Sequence, residues 1–204
     1  MRLRTICTVI LAAATTPVAA QIGNPGFMAP GSADAPAAAT AKTNTTDQLF
    51  ARLLAAGGAG EVELARLAQS RARSNGVRQF ADRMVADHSQ ANNRLMALAR
   101  QASIPLLQTI DPDQMKLRAE LEGLDTDLFE GRYMDAQVTD HIKTVQLLTW
   151  EIGQGQHAEI QRFAMETLPV VLAHLEMARA LAEQLRAATP PPRAAAASAT
   201  GARR

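Results

Sequence analysis

Two histidines interrupt helical seams that are otherwise apolar. Val77, Ala81, Met84, His88, Ala91, Leu95, Leu98 and Ala102 recur at alternating four- and three-residue steps, and so do Met134, Val138, His141, Val145, Leu148 and Ile152. That spacing places each set along one face of an α-helix. His88 and His141 therefore stand where the pattern calls for an apolar side chain. A third seam runs Phe50, Leu54, Gly57, Glu61, Leu64, Ala68, and a fourth runs Leu168, Val171, Leu175, Ala178, Ala182, Leu185 with His174 at its edge. A carboxylate with two or three imidazoles suits zinc, iron, copper or manganese, and a low-dielectric interior strengthens such a site. Glu61, His88, His141 and His174 are thus candidate ligands for a single transition metal. The alternative is structural: buried imidazoles stay neutral and hydrogen-bond a neighbouring His, Gln or carbonyl. Gln137, one turn before His141, is placed either to satisfy it or to help hold a ligand. Asp87 and Asp140 each immediately precede a seam histidine. Adjacent helical residues point about 100° apart, so both are expected on flanking surfaces, paired with Arg83 and Lys143.

These residues must be carried by helices, and the punctuation for them is present. Thr45 with Gln48 gives a capping-box pattern for a first helix to about residue 73. Asn75 is the expected N-cap of a second, about 76–102. Asp111-Pro112-Asp113-Gln114 starts a short helix that ends near Gly123. A long helix follows over about 125–152, ended by Gly153 and Gly155, and another over about 157–186, interrupted at Pro169. The expected fold is all-α: an antiparallel four-helix bundle with a short extra helix between the second and third long helices. In that arrangement Glu61 and His88 each lie about 12 residues from the turn joining their helices, and His141 about 11 from its own turn. At about 1.5 Å per residue they share one level, with His174 about one turn off.

Composition agrees. Aromatics are only 3% of the 204 residues, so the core must come from Leu, Val, Met and Ala, which favour helices. A net charge of +1 supplies no field for nucleic acid. Residues 1–20 read as a signal peptide: Arg2 and Arg4, an apolar stretch from Ile6 to Ala13, and Val18-Ala19-Ala20 before the expected cleavage at Gln21. The only cysteine, Cys7, falls inside it, so no disulfide is expected. Residues 21–45 read as a linker rich in Gly, Pro, Ala and Thr, 46–187 as the folded domain, and 188–204 as a proline-opened tail. No later stretch is apolar enough for a transmembrane span once the signal is removed. A phosphate loop, a nucleophile elbow, a cysteine metal motif and a zinc-protease helix motif are all missing from the sequence.

The segments GEVELARLAQSRARSNGVRQFADRMVADHSQAN, YMDAQVTDHIKTVQLL and FAMETLPVVLAHLEMARAL resemble a widespread family of exported bacterial proteins of unknown function. Its members are often labelled "predicted outer membrane protein" and grouped with ferritin-like bundles. The resemblance covers about residues 46–185, with two Asp-His pairs and the Leu-Pro…His-Leu stretch as its specific elements. It implies a four-helix ferritin-like fold and no established activity. A ferritin-like di-iron site needs Glu-x-x-His on two helices, but Val85 and Val138 stand three residues before His88 and His141. A mononuclear site, or the fold without its metal, fits better. The expectation is an exported protein of the periplasm, with peripheral association to the outer membrane as one form of attachment. Its first functional reading is a non-enzymatic stress or partner-binding module. The alternative is a metal-binding bundle with a mononuclear His/Glu site.

Overall fold

The computed structural model describes residues 42–106 and 109–188. The expected signal peptide, the linker up to residue 41 and the tail from 189 onward lie outside the described residues. The described residues form five helices and no strand: α1 (Thr45–Arg71), α2 (Asn75–Gln101), α3 (Pro112–Gly123), α4 (Thr126–Gln154) and α5 (Ala158–Ala188). The described residues are all-α, and no described helix is long and apolar enough to cross a membrane.

Two helix starts differ from the sequence expectation. Asn44, not Thr45, caps α1: its side-chain oxygen accepts the Asp47 N–H at 2.8 Å, and Asp47 accepts the Asn44 N–H at 2.6 Å. Asn outranks Thr as an N-cap, and Asp47 closes the box in place of Gln48. Ser74, not Asn75, caps α2 by accepting the Val77 N–H at 3.2 Å. Asp111 caps α3 as expected, with Pro112 in the first turn. Pro169 lies inside a continuous α5. The carbonyl it cannot pair belongs to Met165, a residue 52% exposed, where water can satisfy it.

Among the long helices, α1 packs on α2 and α4, and α5 packs on α4 and α2, while α3 lies against α1 with a smaller contact to α4. Arg71 anchors the end of α3: its guanidinium donates to the carbonyls of Leu121 at 2.5 Å, Glu122 at 2.9 Å and Leu124 at 2.5 Å, and it lies 4.9 Å from the centre of the Phe129 ring. The core has two apolar parts. One gathers Leu64, Phe80, Met84, Phe129, Tyr133 and Ala182. The other gathers Phe50, Leu95, Leu148, Ile160, Phe163 and Val171. In each helix the polar residues of interest fall between these two parts: Glu61 in α1, His88 in α2, Gln137 and His141 in α4, His174 in α5. A polar layer thus divides an apolar core.

Two glycines of α1 make room beside that layer. A Cβ at Gly58 would lie 2.1 Å from the Asn92 side-chain oxygen, and one at Gly60 would lie 1.8 Å from Gln114 Oε1. Glycine costs a helix interior about 1 kcal/mol relative to alanine. Here it lets two amides approach the α1 backbone.

Candidate metal centre

His88, His141 and His174 come from three different helices and converge. Their ring centroids are 5.7, 5.5 and 5.6 Å apart, a nearly equilateral triangle. One nitrogen from each lies within 4.8 Å of the others. The one-turn offset expected for His174 is closed by side-chain direction. Side chains tilt toward the start of their own helix, so rings on oppositely running α4 and α5 lean toward each other.

Hydrogen bonding fixes which nitrogens are free. His141 Nδ1 lies 2.8 Å from the Gln137 carbonyl. A carbonyl only accepts, so Nδ1 carries the proton and Nε2 keeps its lone pair. His174 Nε2 donates to Asp87 Oδ2 at 2.8 Å, leaving Nδ1 with its lone pair. Within this cluster His88 Nε2, His141 Nε2 and His174 Nδ1 are buried without a hydrogen-bond partner; so is His157 Nδ1, outside it. His141 and His174 are buried, and His88 is half-buried as a residue with its Nε2 enclosed.

Burial disfavours protonating this group. It pushes His88 down to about 3, with further depression from His141 and His174. His141 is pushed down to about 4 by burial, against the opposing bond to Gln137. Burial also lowers His174, while Asp87 opposes the shift. All three imidazoles are neutral at physiological pH, the form that ligates metals.

Glu61 is buried but lies outside this group of donors. Its Oε2 accepts the Gln137 amide at 2.7 Å, and Oε1 lies 3.5 Å from Gln114 Nε2. Gln137 therefore serves both residues, its carbonyl toward His141 and its amide toward Glu61. Burial and the nearby Asp140 push the Glu61 carboxyl up to about 8. The aspartates make the expected surface pairs, Asp87 with Arg83 at 3.4 Å and Asp140 with Lys143 at 3.5 Å. Each also turns inward, Asp87 to His174 and Asp140 to Gln114 at 3.4 Å. Sequence reasoning left out both inward contacts, because it compared each Asp only with residues on its own helix. It also left out Gln114, whose place at the start of α3 gave no sign of a buried role.

A groove of about 740 Å³ leads to this layer and touches His88, His174, Glu61 and Asp140. Its lining has five acidic residues (Glu61, Asp87, Asp111, Asp113, Asp140) and two basic ones (Arg132, Lys143). Such a balance favours cation entry. Trp150, 37% exposed, also lines it.

The described residues are thus all-helical and bring three imidazoles together. The chain belongs to the DUF4142 family, a domain of unknown function, which matches residues 32–181. In fold it is similar to a DUF305 fragment from Deinococcus radiodurans, with a TM-score of 0.63 over 70% of this chain and 99% of that one. The two are 14% identical, so the likeness concerns the fold alone. No curated protein matches this chain.

Proposed function

We propose that this protein is an exported, ferritin-like, antiparallel four-helix bundle that binds one transition-metal ion through His88, His141 and His174. The observation that carries the metal reading is the set of three converging ring nitrogens, buried and without partners, two of them held in the ligating tautomer by Asp87 and the Gln137 carbonyl. A histidine that donates its second N–H to a carboxylate or carbonyl is the usual arrangement behind a metal ligand. Three neutral imidazoles favour zinc, copper, nickel or iron over calcium or magnesium. Three protein ligands leave a coordination position free, and the groove reaches two of the three rings. Glu61 then acts behind His141, through Gln137, rather than as a ligand.

The bundle reading is supported by the packing of α1 on α2 and α4 and of α5 on α4 and α2, with α3 outside that ring. Export to the periplasm is supported by Arg2, Arg4, the Ile6–Ala13 stretch and the Val18-Ala19-Ala20 cleavage pattern. Attachment to the outer membrane, if it occurs, is peripheral, since a helical bundle does not insert there as a barrel does.

The experiment is a cobalt titration of the untagged chain, followed by visible absorption. The wild type should develop ligand-field bands that saturate at about one equivalent, and His141→Ala should develop none. Saturating bands of equal strength in His141→Ala would remove the proposal.

A further inference from the structure

The groove beside the histidine layer differs from one end to the other. Along it α1 and α4 run antiparallel: the Asn44 side-chain amide donates to the Gln154 carbonyl at 2.8 Å, and the Gln137 amide donates to Glu61 at 2.7 Å. On the groove wall Leu53 stands eight residues before Glu61, and Trp150 ten residues after Asp140. At about 1.5 Å per residue, the Leu53–Trp150 end therefore lies about 12–15 Å from the Glu61–Asp140 end. The first end is apolar, with Leu147 beside Leu53 and Trp150. Further along, Thr144 and Thr167 spend their hydroxyls on carbonyls of their own helices, those of Asp140 and Phe163, at 2.9 and 2.7 Å. The volume, about 740 Å³, is that of a small-molecule site.

The second end is negative. Gln114 joins two carboxylates there, donating its backbone N–H to Asp111 at 3.3 Å and its amide to Asp140 at 3.4 Å. Glu61 beside them holds its proton up to about 8 and adds no charge at neutral pH. Other charges on the wall are paired away from the groove: Asp113 with Lys116 at 3.2 Å, Asp87 with Arg83 at 3.4 Å, and Arg132 with both oxygens of Glu120 at 2.5 and 2.8 Å. Lys143 lies 3.5 Å from Asp140 and is two-thirds exposed. Two carboxylates thus face one exposed ammonium at the end of an apolar slot. An anion would be repelled there. A wholly apolar molecule would strip water from the carboxylates and give nothing back. A molecule with a cationic head and an apolar tail matches both ends.

We propose that this groove binds an elongated amphiphilic cation, an alkylammonium ion of about ten carbons, with its head at Asp111 and Asp140 and its tail between Leu53 and Trp150. This inference does not require the triad to hold a metal.

Calorimetric titration of the full untagged chain with decylammonium chloride, below its micelle concentration, tests it. Trp150 is the only tryptophan of the chain, so its emission reports whether the ligand lies in the groove. The wild type should bind about one decylammonium and change its Trp150 emission, while decanol and decyl sulfate should each bind about tenfold or more weakly. An Asp111→Asn, Asp140→Asn double variant keeps the α3 cap, because Asn caps a helix as well as Asp; it should bind decylammonium about tenfold or more weakly and decanol unchanged. Gly57 lines the groove with open space at its Cβ position, so Gly57→Phe should fill the slot and lose decylammonium while retaining its helical circular dichroism. The proposal fails if the wild type shows no saturable binding, if binding leaves Trp150 emission unmoved, or if decanol or decyl sulfate binds as tightly. It fails equally if the folded double variant or folded Gly57→Phe binds decylammonium unchanged.

Discussion

Two buried polar clusters sit at different heights in this protein, and they are built differently. At the end where α1 begins, Asp47 is buried and surrounded by donors. It accepts the backbone N–H groups of Asn44 at 2.6 Å and of Gln156 and His157 at 3.0 Å each. Burial would raise its pKa, but these bonds and the neighbouring Glu151 outweigh that and hold it below the ordinary value. Glu151 beside it is pushed up to about 8 by burial and by Asp47 and so holds its proton, with both of its oxygens buried without a hydrogen-bond partner. That cluster ties the start of α1 to the turn between α4 and α5, with Asp47 fully satisfied. In the middle layer the outward-facing nitrogens of His141 and His174 are satisfied, and the nitrogens of the three histidines that face one another are not. Burying an acceptor with no partner costs about 1–3 kcal/mol. At the Asp47 end one carboxylate is filled by backbone donors from two chain segments, although both Glu151 oxygens beside it are buried without a partner. The middle layer differs in bringing three unpartnered ring nitrogens from three helices within 4.8 Å of one another, two of them with their lone pair fixed inward.

The contrast can be broken by mutation, and the largest effect should fall at the structural end. Asp47→Ala removes a cap and leaves three backbone N–H groups without their acceptor, so it should cost about 2–4 kcal/mol in urea unfolding. Its cobalt affinity should not change. Asp87→Asn should do the reverse: weaken cobalt binding by about 10–100-fold with little change in unfolding midpoint. If both variants lose stability and neither loses affinity, the two clusters are of one kind.

Acid–base behaviour gives a smaller effect with a defined sign. Glu151 holds its proton up to about 8, against 4.5 for an ordinary glutamate. Between those values the folded state binds a proton that the unfolded state has released. Its contribution is therefore complete below about pH 4.5 and is lost as pH rises through about 8, at up to about 1.4 kcal/mol per pH unit. Glu151→Gln should flatten that slope, measured by unfolding at pH 5, 6.5 and 8. Asp47 has the opposite sign, stabilising above its ordinary value of 3.8 and losing that contribution on acidification. The smallest effects concern two glycines near the middle layer. Gly57, with open space at its Cβ position, should gain about 0.5–1 kcal/mol as alanine, whereas Gly60→Ala should lose stability because its methyl meets Gln114.

The helices were legible because seam spacing and capping signals are local. Asp111 and Pro112 marked the start of α3 unambiguously. The caps of α1 and α2 moved by one residue because Thr45 competed with Asn44, and Asn75 with Ser74, within a single turn. The level shared by Glu61, His88 and His141 was also legible, since rise per residue is fixed. The contact partners were not. That Asp87 reaches His174, 87 residues away, depends on how α2 and α5 are rotated against each other. That Gln114 reaches Glu61, 53 residues away, depends on where α3 lies. Neither relation leaves a trace in one-helix periodicity.

The most direct measurement is the transition-metal content of the untagged chain, purified from the cells that make it, beside a His88→Ala, His141→Ala double variant. The account predicts about one bound metal per wild-type chain and none in the variant. A wild type without metal that also takes up none when zinc, copper or cobalt is added, or a variant that retains it, would contradict the account.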